Sequence, residues 1–241
     1  MHNLRKNQAF SLIEIITVIA VIAILASLLF PALNYWRKKG DSVQCVSQLR
    51  QIGVGIGLYM GDNDGEFPGP LTSKQSSTYD KDTRGSLAQK IGKYFNSTPA
   101  SPNSQNSPQV QTPNFLCPAA ARLVSSPTSP TYIVNMLDFP AYKQPPWGNI
   151  ALNQQPLKQS ALTNLTDALV GDDPLTLSTL WAVKDGDQDY FRDMNFFASD
   201  ASGLPLHPAH ENHRNALFYD FHVAPVQYIT ITTTVVIDPP H

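Results

Sequence analysis

Four histidines, His207, His210, His213 and His222, with Asp220 among them, form the densest group of chemically able side chains in the chain. Imidazole and carboxylate together could hold zinc or move protons. Zinc needs at least three such groups to converge, and Pro208 interrupts the helix that would align the first three histidines. A second group is acidic: Asp172 and Asp173 in "GDDP", and Asp185, Asp187 and Asp189 in "DGDQDY". Clustered carboxylates in loops suit calcium, but "DGDQDY" lacks the sixth-position glycine and the terminal acid of an EF-hand loop. The acids are therefore read as solvated loop residues, with a looser calcium site as the alternative. The serines have no G-x-S-x-G context, and no phosphate-cradling glycine loop is present. No catalytic residue and no other metal or cofactor is assigned. The expectation is a protein that is not an enzyme.

One further acid is notable for its surroundings. Glu14 lies inside the run Phe10 to Phe30, whose other polar members are Ser11, Thr17 and Ser27. About twenty helical residues span ~30 Å, the thickness of the hydrocarbon core of a bilayer. The run exceeds the roughly 7–15 apolar residues of a cleaved secretory signal. Arg5 and Lys6 precede it and would hold the N-terminus in the cytoplasm. Arg37, Lys38 and Lys39 follow it, against the positive-inside trend, as a translocated downstream domain tolerates. A net charge of −2 gives no basic field for nucleic acid.

The stretch Ala9-Phe10-Ser11-Leu12-Ile13-Glu14 resembles the cleavage and methylation site of type IV pilins and type II secretion pseudopilins. The family pattern is a short basic leader, a small residue, Phe-Thr-Leu-Ile-Glu and a long apolar helix. Ala9 stands for the usual Gly and Ser11 for Thr. The resemblance implies cleavage between Ala9 and Phe10 by a prepilin peptidase and N-methylation of Phe10. It also implies a helix kink at Pro31. Glu14 would become the fifth residue of the mature chain. In a low-dielectric fibre core it could pair with the α-amino group of a neighbouring subunit's Phe10, offsetting desolvation and setting the register. "QLRQIGVGIGLYMGDNDGEFP" resembles the helix end of G-type pseudopilins. His210, nine residues and Asp220 resemble a C-terminal His-x9-Asp-Gly-His motif of large-headed pilin-like proteins, with Phe221 in place of the Gly and His222 following.

The implied organisation is a leader over 1–9, a transmembrane helix over 10–30, an amphipathic stalk helix over 31–62 and an α+β head over 63–241. Leu33, Trp36, Val43, Val46, Leu49, Ile52, Ile56 and Tyr59 keep mostly helical spacing. Gly53, Gly57 and Gly61 recur at every fourth position, forming either a ridge against a sheet or a place where the helix frays. Residues 96–114 are polar and rich in proline and read as a surface loop. "TYIVNML", "ALFYDFHVAPV" and "YITITTTVVI" are strand candidates, and "TLSTLWAV" is ambiguous. The sheet is expected to be small and antiparallel, packed on the long N-terminal helix. Cys45 and Cys117 permit one disulfide, on the oxidising side in this topology. Asp220 is expected to bond turn amides of a hairpin, and His210 to donate to Asp220 or to a loop carbonyl.

The location implied is the bacterial inner membrane: a single pass, N-terminus cytoplasmic and head periplasmic, and then an assembled fibre. Expected partners are prepilin peptidase, other pilin or pseudopilin subunits, a secretion or pilus platform and membrane lipid. The competing reading is a membrane-anchored periplasmic binding protein or metal-dependent enzyme that acts without assembly.

Overall fold

The computed structural model describes residues 12–80, 82–95, 110–126, 128–138, 142–162, 169–170, 173–174, 176–193 and 201–227. Ala9, Phe10, Asp172, residues 96–109 and the run "YITITTTVVI" lie outside the described residues. The chain divides into two compact units, Met1–Gly40 and Asp41–His241.

Helix α1 runs over Leu12–Asp62 and continues through Pro31. A proline removes one donor from the ladder, so a helix held by its neighbouring turns can run past it. The second unit begins at Asp41, so residues 41–62 of the helix cluster with the head. Their buried apolar face is Cys45, Leu49, Ile52, Ile56 and Met60, at spacings of three and four residues. Val43 is exposed and Val46 only half-buried, so Cys45 takes the position that hydropathy alone assigns to its neighbours. The glycines do not form a ridge. A Cβ at Gly53 would touch the Leu217 side chain at 3.0 Å, and one at Gly55 would clash with the Phe95 ring at 2.6 Å. Gly57 and Gly61 face open space, and the helix does not fray at any of them.

The head follows as β1 (Lys74–Gln75), β2 (Thr78–Tyr79), α2 (Leu87–Ile91), β3 (Val110–Gln111), α3 (Pro118–Ala121), β4 (Tyr132–Val134), α4 (Gln159–Leu162), β5 (Leu169–Val170), β6 (Asp173–Pro174), β7 (Trp181–Asp185), α5 (Gln188–Asp193), β8 (His213–Phe218) and β9 (Val223–Gln227). The class is α+β. Five strands in the order β1-β4-β7-β8-β9 make one antiparallel sheet. The ambiguous segment resolves as a turn over 177–179 that leads into strand β7, whose residues Trp181 to Asp185 are all buried. A strand covered on both faces loses the alternation that would reveal it. One face of the sheet meets the helix through Leu217, Val183 and Val134 with Leu49, Ile52 and Ile56. The other forms a smaller core of Ile133, Trp181, Phe191, Ala216 and Phe218. Phe67, Trp147 and Tyr219 close the first core, with ring centroids 5.2–5.7 Å apart, a spacing at which edge-to-face pairs add to burial.

Candidate functional site

Glu14 lies in the first turn of α1, where a carboxylate favours the helix dipole. Around it Leu12, Ile13, Ile15, Ile16, Val18, Ile19, Val21, Ile22, Ile24 and Leu25 are all exposed. Apolar residues therefore cover this segment on every side, which in water would be an unusually large patch. The interspersed hydroxyls are satisfied locally: Thr17 Oγ1 donates to the Glu14 carbonyl at 2.9 Å, and Ser27 Oγ to the Ile24 carbonyl at 2.7 Å. Such back-bonding lets Ser and Thr occupy an apolar helix without a stranded donor. Among the described residues no helix is long and apolar enough to cross a membrane.

A different arrangement lies within the head. Cys45, on α1, and Cys117, just before α3, form a disulfide with Cα atoms 5.0 Å apart. Cys117 is held by its own N–H, which donates to Thr131 Oγ1 at 3.1 Å. His210, in the approach to β8, places Nε2 3.5 Å from Cys117 Sγ and 3.3 Å from Asp185 Oδ2. Asp185 ends β7, and its Oδ2 accepts the Asn215 N–H at 2.8 Å. Its other oxygen, Oδ1, has no hydrogen-bond partner. All four residues are buried, and one ligand-type atom from each lies within 4.8 Å of every other. The neighbouring Tyr132 hydroxyl is pushed well above its ordinary pKa, first by burial and then by the Asp185 charge. A catalytic relay is not built here. The same imidazole nitrogen faces both sulfur and carboxylate, whereas a relay needs opposite ring nitrogens.

The His210 ring thus faces Cys117 and Asp185, and not Asp220, which was one of its two expected partners. Asp220 Oδ1 instead takes the His222 N–H at 3.2 Å and His222 Nδ1 at 2.5 Å. The turn is closed by the Phe221 N–H donating to the Phe218 carbonyl at 2.9 Å, followed by Phe221 itself in the left-handed region at φ 70°. This is the layout of a three-residue hairpin loop. Phe221 holds the conformation that glycine adopts freely, at a cost of order 1 kcal/mol, and its ring packs against the main core. The remaining histidines disperse: His207 Nδ1 meets Asp189 Oδ2 at 2.7 Å, and His213 stacks on His210.

Of the acids read as solvated, Asp185, Asp187 and Asp189 are buried, and the last two are bound by different basic side chains. Asp187 takes a two-pronged contact from Arg214 (Nε to Oδ2 2.5 Å, Nη2 to Oδ1 2.7 Å), and Asp189 pairs with Arg192 and His207. Burial of a carboxylate is affordable only with such partners. Among the described residues Asp185, Asp187 and Asp189 do not share a point where calcium could be ringed. Lys184, buried beside them, lies 3.6 Å over the Tyr190 ring and 4.1 Å over the Trp181 ring. Burial pulls its pKa well down, and Arg214 adds to the effect.

Sequence reasoning found both cysteines and His210 but not Asp185 as their companion. The four positions are 45, 117, 185 and 210, far too dispersed for any spacing rule.

Residues 4–30 match the family model described as the prokaryotic N-terminal methylation motif. No curated protein and no solved structure matches the chain. The match covers the basic leader, Glu14 and the apolar run, so the chain carries a prepilin-type N-terminus on an α+β body. That motif implies processing by a prepilin peptidase and assembly with other pilin subunits, and it points to a membrane-anchored or pilus-associated protein.

Proposed function

We propose that this chain is a structural subunit of a type IV pilus-like fibre or type II secretion pseudopilus. It enters the inner membrane through residues 10–30, N-terminus in the cytoplasm and head in the periplasm. A prepilin peptidase cuts between Ala9 and Phe10, and the mature helix then packs beside its neighbours in the fibre. The observation that carries this reading is the prepilin-type motif over 4–30, joined to a helix whose apolar side chains point outward on all sides around one carboxylate. An all-round apolar helix needs lipid or other helices as its solvent. Glu14 then pairs with a neighbouring subunit's Phe10 amine, which offsets two desolvation costs at once. The head contributes shape and surface rather than catalysis. The platform it assembles on is that of the secretion or pilus apparatus.

Mass spectrometry of the native protein tests this directly. The expected N-terminus is Phe10, N-methylated, and the mature chain is expected in sheared fibres. An intact Met1 terminus in a host with active prepilin peptidase overturns the proposal.

A further inference from the structure

We infer that Cys45, Cys117, His210 and Asp185 form a zinc-binding centre when the two cysteines are reduced, so that the same four residues provide either a disulfide or a metal crosslink. The structure holds the disulfide form; the metal form is its reduced counterpart. This inference stands on the head alone and is independent of the role proposed for the N-terminal helix.

Three observations converge on it. The donor set is two sulfurs, one imidazole nitrogen and one carboxylate, all of them zinc ligand types. Their atoms lie within 4.8 Å of one another. Tetrahedral zinc, with bonds of about 2.0–2.3 Å, asks for ligand separations of about 3.3–3.8 Å. Small side-chain movements after the disulfide opens would reach those separations. Second, a single nitrogen, His210 Nε2, faces both Cys117 and Asp185. That is poor geometry for a proton relay and suitable for a shared ion. Third, Asp185 is 2% exposed, and its Oδ1 is a buried acceptor without a partner. A buried polar atom left unpaired calls for a ligand. Asp185 Oδ2 is meanwhile anchored by the Asn215 N–H, and Cys117 by Thr131. Such outer contacts orient metal ligands.

The charges also permit the exchange. With a neutral imidazole the disulfide form carries −1, from Asp185. The zinc form carries +2 from the ion, −2 from the thiolates and −1 from Asp185, again −1. Filling the centre therefore adds no net charge to the buried site.

The chemistry balances in two steps. A dithiol reductant gives two electrons and two protons to the disulfide: the S–S bond breaks, both cysteines become thiols, and the reductant closes its own disulfide. Zn²⁺ then displaces both thiol protons to solvent, and two Zn–S bonds, one Zn–N bond to His210 Nε2 and one Zn–O bond to Asp185 form. The imidazole proton resides on Nδ1 in this state. A disulfide oxidant reverses the sequence: it takes two electrons from the thiolates and two protons from solvent to become a dithiol, the S–S bond re-forms and Zn²⁺ leaves. A chain not yet oxidised would thus be held by the same crosslink that later becomes covalent.

The test uses the full-length chain in detergent, with Zn²⁺ alone as the probe. The chain is reduced anaerobically with a phosphine, stripped of metal, loaded and desalted. One zinc per reduced chain and none per oxidised chain is the expected result. Cobalt substituted for zinc should give the visible spectrum of a tetrahedral thiolate site. His210→Gln and Asp185→Asn should each weaken zinc binding at least tenfold while still forming the disulfide on reoxidation. Equal zinc in reduced and oxidised wild type overturns the inference, as does substoichiometric zinc in the reduced form. Undiminished affinity in a variant that re-forms its disulfide also overturns it. If a variant does not fold, the reduced-against-oxidised comparison of wild type decides.

Discussion

Helix α1 has two regions that share a secondary structure and little else. From Leu12 to Leu25 its apolar side chains are exposed on every side. From Asp41 to Asp62 one face, made of Cys45, Leu49, Ile52, Ile56 and Met60, is buried in the head's main core, while Val43, Val54 and Leu58 stay exposed. The first region needs a solvent other than water, and the second needs only its own head. Backbone helicity says nothing about which applies; the arrangement of apolar residues around the axis does. The difference also separates the two kinds of damage that substitutions can do.

The largest effect is expected at Glu14. Glu14→Gln should empty the sheared-fibre fraction of this chain while leaving the head's unfolding midpoint unchanged, as quantitative blotting and calorimetry would show. Normal incorporation would break the comparison, since the first region would then need no polar contact. Next is the anchor of the second region. Cys45→Ser opens a crosslink across 72 residues, which the chain-entropy argument values at about 4 kcal/mol. Urea unfolding of the metal-free chain measures it. Ile52→Ala, in the fully buried face, should cost about 2–5 kcal/mol. Ile19→Ala should leave the head's midpoint where it was. An equal loss from both would mean that the two regions share one core.

A smaller effect is expected with pH. Tyr132, Tyr190 and Tyr219 have pKa values raised by burial. Their contribution is fully present below the unfolded value of about 10 and is lost as pH rises through the folded values. Lys184 acts with the opposite sign. Its folded pKa is lowered, so the unfolded chain binds the extra proton and stability rises with pH up to about 10.4. The head's midpoint should therefore climb toward pH 10 and fall above it. Tyr190→Phe should soften the fall and Lys184→Met should flatten the climb. Asp220→Ala is expected to have the smallest effect. It removes contacts on a partly exposed turn, at about 0.5–1 kcal/mol, read as a shift of a few degrees in melting temperature.

Legibility in the sequence follows the same division. The N-terminal region could be read because its information is local: a basic leader, a small residue, Phe10, Glu14 and an apolar run within thirty positions. The buried face of 41–62 was legible through its period, although Cys45 rather than Val43 occupies it. The hairpin over "ALFYDFHVAPV" was legible as strand on both sides of Asp220. What was hidden depended on tertiary convergence. Strand β7 carried no alternation because both its faces are covered. Asp187 looked solvated because Arg214, its partner, is 27 residues away. Asp185 looked like a loop acid because Cys45, Cys117 and His210 reach it from three other elements.

The position of the Cys45–Cys117 bond has a mechanical consequence. In the fibre role proposed above, a load applied through the N-terminal helix would enter the head at Asp41. Without a lock the helix could peel away turn by turn from that end, each step opposed only by the contacts of one turn. Cys45 lies one turn into the head, and Asp41 is itself clamped by Arg122. Peeling thus stops almost where it starts, and a load has to shear the whole interface from Leu49 to Met60 at once.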